Sequence, residues 1–334
     1  MIDRRTFIVA SASVLLSEMR YDAYAQPTGK VWRIGLLANA ADTDPGAARI
    51  YEAFRLALQE RGYDEGKNLV IERRFAEGRD ERFPALAVEL VRLKLDVIVA
   101  GSSPATEAAK AATSTIPIVM AGVADPVARG LVTSLAHPGG NITGIANLQL
   151  DLYSKRVELL KSAVPRVARV VSIGNPGGIE PAKIAVLRKK QEADAKAIGV
   201  ALVRIDLSAT SEWRSVTEAI VREHPDALVL SPTPINFNLR REIAEFANVQ
   251  RLPTIGANRD QAVAGILMSY GSDSADTYRN TAAYVDKILK GAKPGELPIE
   301  QPTKFDLVIN VKTAKALGLA IPQAVLLRAD EVIQ

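Results

Sequence analysis

Residues 96–126 constrain the fold more than any other part of the chain. DVIVAG and IPIVMAG are short, continuous apolar runs, each ended by glycine, with an alanine-rich segment between them. Runs that are apolar at every position suit strands covered on both faces, and a helix joining two of them makes the strands parallel. The spacing predicts a strand at 96–101, a helix from Ala105 to Thr113 and a second strand at 116–122. Polar turns follow each strand, at Gly101-Ser102-Ser103-Pro104 and from Val123 to Pro126. In an open α/β sheet such turns lie at the carboxyl ends of the strands, where ligands bind. Pro104 suits the first turn of a helix, since its missing N–H would have had no partner there. Ser102, Ser103 and the unpaired backbone N–H groups then face the crevice, an environment that attracts a carboxylate or another anion.

The same alternation runs along the rest of the chain. A strand is expected at 31–37, a helix from Ala47 to Arg61 with Ile50, Phe54, Ala57 and Leu58 at helical spacing, and Gly62 as its cap. Another strand is expected from Leu69 to Arg73, followed by a helix from Arg82 to Leu93. The order strand, helix, strand implies right-handed crossovers and a doubly wound sheet. A turn-rich segment, His137 to Gly144, feeds an extended run Ile145 to Asn147 that reads as the first crossing to a second lobe. Strands at 167–173, 200–206, 227–231 and 253–256, with helices between them, repeat the architecture. The helix from Ile235 to Gln250 is read as continuous. Residues 265–271 read as a strand leaving that lobe, Ser274 to Lys290 as a helix packing back on the first, and Lys304 to Val311 as a strand or crossing. The expected division is 31–144 with 274–297 for the first lobe and 147–271 with 304–334 for the second. Several crossings make a hinge, so the lobes should close as rigid bodies.

Composition narrows the function. The chain has 334 residues, 48% hydrophobic and 24% charged, which suits two globular lobes. Basic and acidic residues are interleaved at a net charge of +4, and only 5% of residues are aromatic, so no basic stripe with stacking rings points to nucleic acid. The absence of cysteine excludes disulfides, thiolate nucleophiles and Cys-ligated zinc. Two histidines, His137 and His224, are too few for a His-rich metal site. The start of the chain reads as an export signal: Arg4 and Arg5 before an apolar run from Phe7 to Leu16, and Ala23-Tyr24-Ala25 as a cleavage site near Ala25. The paired arginines resemble a twin-arginine signal, and the choice between that route and general secretion stays open. A periplasmic location is expected.

No residue set on the chain assembles catalysis. The first strand ends Gly35-Leu36-Leu37-Ala38-Asn39, without the G-x-G-x-x-G that a dinucleotide needs. GYDEGK at 62–67 has one residue too few for a phosphate loop and lacks the hydroxyl after its lysine. There is no G-x-S-x-G and no H-E-x-x-H. No catalytic residue, metal or cofactor is therefore expected. What remains is a set of polar side chains at expected strand ends: Asn39, Ser102, Ser103, Thr106 and Asp125 from the first lobe, and Asn175, Thr233, Asn236, Asn258, Arg259 and Tyr270 from the second. Hydroxyls, amides, one carboxylate and one guanidinium without an activated nucleophile favour reversible binding over turnover.

KVWRIGLL at 30–37, the segment from Leu95 to Pro126, PGGNITG at 138–144, MSYG at 268–271 and ELPIEQPTKFDLVINVKTAKALGL at 296–319 together resemble the ABC-transporter substrate-binding proteins of the tryptophan/tyrosine type. The resemblance covers essentially the whole mature chain. It implies the type 1 periplasmic binding protein fold: α/β, two Rossmann-like doubly wound lobes, three crossings and a ligand held between the lobes. It also implies a small-molecule ligand, amino-acid-like or another small carboxylate, an ABC permease in the inner membrane as partner, and a monomer. Similar amino-acid binders hold the ligand carboxylate on a serine-bearing loop, which maps onto Ser102 and Ser103, and Asp125 is the residue that would receive an ammonium. The segments 174–179 and Thr233 to Asn238 are where ligand choice could depart from the amino-acid pattern. A ligand-sensing module for a membrane receptor would use the same cleft, so that alternative stays open.

Overall fold

Side-chain alternation along short parallel strands decides the architecture. In the computed structural model, residues 29–148, 150–174 and 180–334 are described. The expected export signal and Asn175 lie outside them. Residues 32–334 form one unit. Its first half runs β1 (Trp32–Ala38), α1 (Pro45–Gln59), β2 (Leu69–Phe75), α2 (Phe83–Arg92), β3 (Val97–Ala100), α3 (Ser103–Ala112), β4 (Ile118–Ala124) and β5 (Ile142–Asn147). These strands form an all-parallel sheet in the order β2-β1-β3-β4-β5.

The second half continues with α4 (Tyr153–Ala163), β6 (Arg169–Ile173), α5 (Pro181–Ala197), β7 (Ala201–Ile205), α6 (Trp213–Arg222) and β8 (Ala227–Leu230). Then come α7 (Pro234–Asn238), α8 (Arg240–Val249), β9 (Thr254–Gly256), α9 (Arg259–Val263) and β10 (Met268–Gly271). After α10 (Ser274–Leu289) the chain ends with β11 (Asp306–Asn310), α11 (Val311–Ala316), α12 (Gln323–Leu326) and β12 (Glu331–Ile333). The second sheet has the order β12-β11-β10-β9-β8-β6-β7. The chain passes between the sheets after β5, between β10 and α10, and before β11.

The central strands of each sheet are buried on both faces, which is why β3 and β8 read as unbroken apolar runs. In β1 and β3, Ile34, Leu36, Val97 and Val99 face one layer, packed with Ile50, Phe54 and Leu58 of α1 and Ala282 and Val285 of α10. Leu37, Ile98 and Ala100 face the other, with Phe83 and Leu90 of α2 and Ala105 and Ala109 of α3. Successive residues of a strand point to opposite faces. The second sheet repeats this, with Val170, Val229 and Ile255 on one side and Val171, Leu228 and Leu230 on the other.

Several elements differ from the sequence reading. The run expected as a crossing is part of β5, which pairs with β4 from Ile142 to Asn147, so the first sheet extends past 144. Thr143 and Gly144 hide this strand by interrupting its apolar pattern. Gly144 has φ +125°, and a Cβ there would overlap the backbone of Met120. The helix expected at 235–250 is two helices, broken at Leu239. β11 runs antiparallel to β10, because the chain between them leaves for the first lobe and returns from the opposite end. The short elements α9, α12 and β12 have no counterpart in the sequence reading. Among the described residues no helix is long and apolar enough to cross a membrane.

The close approach of Gly144 to Met120 gives a direct test of the β4–β5 contact. Gly144→Ala is expected to destabilise the fold by about 2–4 kcal/mol, from a disfavoured φ and overlap with backbone that cannot move aside. Calorimetric unfolding reads this as a lower Tm, and an unchanged Tm would show that the strands are not packed in this register.

Candidate functional site

Strand order reverses between β1 and β3 in the first sheet, and between β6 and β8 in the second. Ligands of open α/β sheets bind at the carboxyl ends of strands beside such reversals. Here the loops beyond the two reversals enclose one cavity of about 440 Å³. The first lobe lines it with Asn39 after β1, Asp80 after β2 and Ser102 and Ser103 after β3. The second lobe adds Ser208, Thr233, Phe237, Asn238 and Asn258. Asn147, Leu150, Ser272 and Thr277, at or beside the crossings, complete it.

Local capping explains how the polar loops are presented. Ser102 is extended (φ −163°), its Oγ accepts the Ala105 N–H at 3.3 Å, and Pro104 sits in the first turn of α3. The Ser103 N–H lies in that first turn, where no carbonyl precedes it within the helix. Thr233 and Asn258 cap α7 and α9 in the same way, accepting from the N–H groups of Asn236 and Gln261. Gly101 is needed beside this loop, since a Cβ there would overlap the hydroxyl of Tyr278.

The walls are aromatic as well as polar. Tyr51, Phe237 and Tyr278 line the cavity. Tyr51 stacks on Phe75 with ring centroids 5.6 Å apart and meets Tyr278 edge-on at 5.8 Å, and its hydroxyl donates to the Ala40 carbonyl at 2.6 Å. Burial pushes the phenols of Tyr51 and Tyr278 upward, so both stay neutral. Two carboxylates also line the space. Glu107 is paired with Arg129 at 2.9 Å, whose side chain is 5% exposed and also donates to the Ala124 carbonyl. Asp80 keeps solvent contact yet is crowded enough that desolvation, then the charges of Glu81 and Glu107, raise its pKa. Its Oδ1 accepts from Asn39 Nδ2 at 3.2 Å.

Direct contacts join the lobes at the rim. Asn39 Oδ1 accepts from the Gly78 N–H at 2.8 Å and from Asn238 Nδ2, across the seam, at 2.9 Å. Asp44, which caps α1, receives Arg240 Nη2 at 2.6 Å on Oδ1 and 2.5 Å on Oδ2. Arg49, one turn along α1, reaches Asp260 at 3.1 Å and Asp273 at 3.1 Å.

Of the residues expected from sequence, the fold brings Asn39, Ser102, Ser103, Thr233 and Asn258 to the cavity. Thr106 is fully buried and its hydroxyl donates back to the Ser102 carbonyl. Asn236 is also buried, and its amide donates to the carbonyls of Ile173 and Ser231, tying two loops together. Asp125 instead lines a separate cavity of about 310 Å³ and caps the following turn through the Ala128 N–H. Arg259 turns to a bidentate pair with Glu331, and Tyr270 packs toward Phe305. Asn175 is outside the described residues. Sequence reasoning missed Tyr51, Asp80, Glu107, Arg129, Phe237, Asn238 and Tyr278. Phe237 and Asn238 do fall in the segment singled out for ligand choice, and Glu107 lies one helical turn beyond Ser103.

With the geometry in place, comparison with known proteins decides the family. Residues 42–333 match the family described as ABC transporter substrate binding protein. The chain belongs to that family. Its members are binding proteins, not enzymes. A tyrosine-binding protein of Clostridioides difficile (strain R20291) is 29% identical over 282 residues, 82% of this chain and 78% of the relative. An ABC domain from Streptococcus pneumonia, solved with L-Trp, is 26% identical with TM-score 0.81, covering 90% of this chain and 99% of that one. A ligand-free, open substrate-binding protein with adhesive properties from Clostridium difficile is 25% identical with TM-score 0.63, covering 91% and 100%. At nearly equal identity, this fold superposes better on the ligand-bound chain than on the open one. The two lobes of α/β type 1 periplasmic binding architecture expected from sequence are the architecture observed.

The seam acids make stability depend on pH in one direction. Burial alone would raise Asp44, but its bonds from Arg240 and from the Ala47 N–H outweigh that and hold it below the usual carboxylate range. Asp273 is held down in the same way by Arg49 and the Ala275 N–H. A carboxylate depressed in the folded state contributes stability that is complete above the unfolded value, about 3.9, and is lost as pH falls through the folded value. Tm by calorimetry should therefore be flat from about pH 7 to 5 and fall below about 4. Asp44→Asn should flatten part of that fall, and an identical profile in the variant would contradict the assignment.

Proposed function

We propose that this chain is the extracytoplasmic substrate-binding component of an ABC importer, capturing a small amino-acid-like ligand or another small carboxylate between its lobes. The observation that carries the reading is the cavity at two facing strand-order reversals, with a serine-bearing helix start on one wall and aromatic rings on the others. The Ser103 N–H and the Ser102 and Ser103 hydroxyls would receive a carboxylate. Asp80 replaces Asp125 as the acceptor for an ammonium, because Glu107 is already engaged by Arg129 and Asp125 lies in a different cavity. Tyr51, Phe237 and Tyr278 would face an apolar or aromatic side chain, which fits relatives named for tyrosine and solved with L-Trp.

Contacts from both lobes to one ligand favour the closed form, so closure is a population shift driven by differential affinity. The closed form would then be presented to a permease in the inner membrane, the chain having been exported as a monomer to the periplasm. Binding is read by calorimetry with L-tryptophan and L-tyrosine. Ser103→Ala should weaken binding by about 1.5–3 kcal/mol, the range for a lost hydrogen bond to a charged partner, and unchanged affinity would remove that residue from the site. Asp80→Asn should weaken binding of L-tryptophan but leave 3-indolepropionate, which lacks the amino group, unaffected. Equal losses for both compounds would move the ammonium site elsewhere.

A further inference from the structure

One ion pair between the lobes involves two residues that do not line the cavity. Arg240 is 5% exposed at its side chain, and its Nη2 meets both oxygens of Asp44, 196 positions earlier in the chain. Its Nη1 donates to the Phe237 carbonyl at 2.9 Å, and its guanidinium carbon lies 4.6 Å from the centroid of the Phe237 ring. Phe237 is a cavity wall of the second lobe. Asp44, for its part, holds the first turn of α1 by accepting the Gly46 and Ala47 N–H groups. That helix supplies Ala47, Ile50 and Tyr51 to the opposite wall. Gly46 lets the two sides approach: a Cβ there would stand 3.3 Å from Phe237 Cζ and 3.4 Å from Arg240 Nη2.

We infer that Asp44 and Arg240 are a positioning pair for binding, fastening the α1 wall to the Phe237 wall from outside the cavity and thereby setting how long a ligand is retained. The inference rests on the reading that the lobes close on a ligand. Each partner already has a role within its own lobe, as helix cap or as support of Phe237, so both are in place before the lobes meet. Closure adds only the charge-assisted bonds between them, which are strong where water is excluded. Opening must give those bonds up and rehydrate a buried guanidinium, so the pair acts on dissociation more than on association. Arg49 with Asp260 adds a second pair of reversed polarity from the same helix: α1 contributes an acid and a base, and the second lobe answers with a base and an acid.

The chain has no cysteine, so Val88→Cys on α2 and Val249→Cys on α8, both exposed, can carry one spin label each. The distance between labels then reports lobe separation without any ligand. Asp44→Asn is the central variant, because asparagine keeps the cap on α1 while removing the charge. Asp44→Asn and Arg240→Gln should each shift the ligand-free distribution to longer separations, Arg240→Lys should shift it less, and the double variant should be no worse than either single. Stopped-flow release of L-tryptophan or L-tyrosine should accelerate about tenfold, with association changed less than about threefold. An unchanged distance distribution in the single variants, or a wild type already fully open, would overturn the inference. Because the distances need no ligand, failure of both amino acids to bind would count against the ligand assignment alone, and the distances would still decide the role of the pair.

Discussion

Parallel strands deliver all their carboxyl ends to one edge of a sheet, and in this protein two such edges face the same space. Helix starts, hydroxyls and amides collect there because the loops that follow the mutually parallel strands of both lobes open in that direction, β11 and β12 alone among the described strands running the other way. The buried layers have the opposite character, with the side chains of the central strands β3, β8 and β9 buried on both faces. A cavity lined by Ser102, Ser103, Thr233 and Asn258 thus follows from topology once each loop carries a capping residue.

The seam between lobes uses different chemistry from the cores. Ions and amides dominate the rim contacts named above, where an apolar seam of the same size would bind the lobes together regardless of ligand. Charge pairs suit an interface that must part, since each partner can be rehydrated when separated, and their strength depends on exclusion of water. On the proposed reading, ligand and seam act together. A ligand fills the space between the walls and keeps water out, and in dry surroundings the Asp44–Arg240 and Arg49–Asp260 pairs bind more tightly. Neither set of contacts has to be strong alone, which leaves release within reach.

The sequence reading was most reliable where one residue does one local job. The unbroken apolar runs of β3, β4 and β8 identify themselves, as does Ser102 before Pro104. It failed where a polar residue at a strand end had a choice of partners. Thr106 and Asn236 spend their hydrogen bonds on nearby carbonyls, and Arg259 finds Glu331, which lies 72 residues away. Asp80 stands in a run, Arg79-Asp80-Glu81-Arg82, that looks like an ordinary solvated helix start, and only the folded loop brings it beside Asn39. The pairing of Asp44 with Arg240 has no local signal at all. Glu107 could have been reached by counting one helical turn from Ser103, and Phe237 by taking the flagged TPINFN segment as a wall of the cavity.

The account stands on two lobes closing around a small molecule held by these loops. Small-angle scattering of the protein, with and without saturating L-tryptophan or L-tyrosine, tests it most directly. A smaller radius of gyration and a more compact distance distribution with ligand are the predicted result. An identical scattering curve at a concentration where calorimetry shows the site to be full would contradict it.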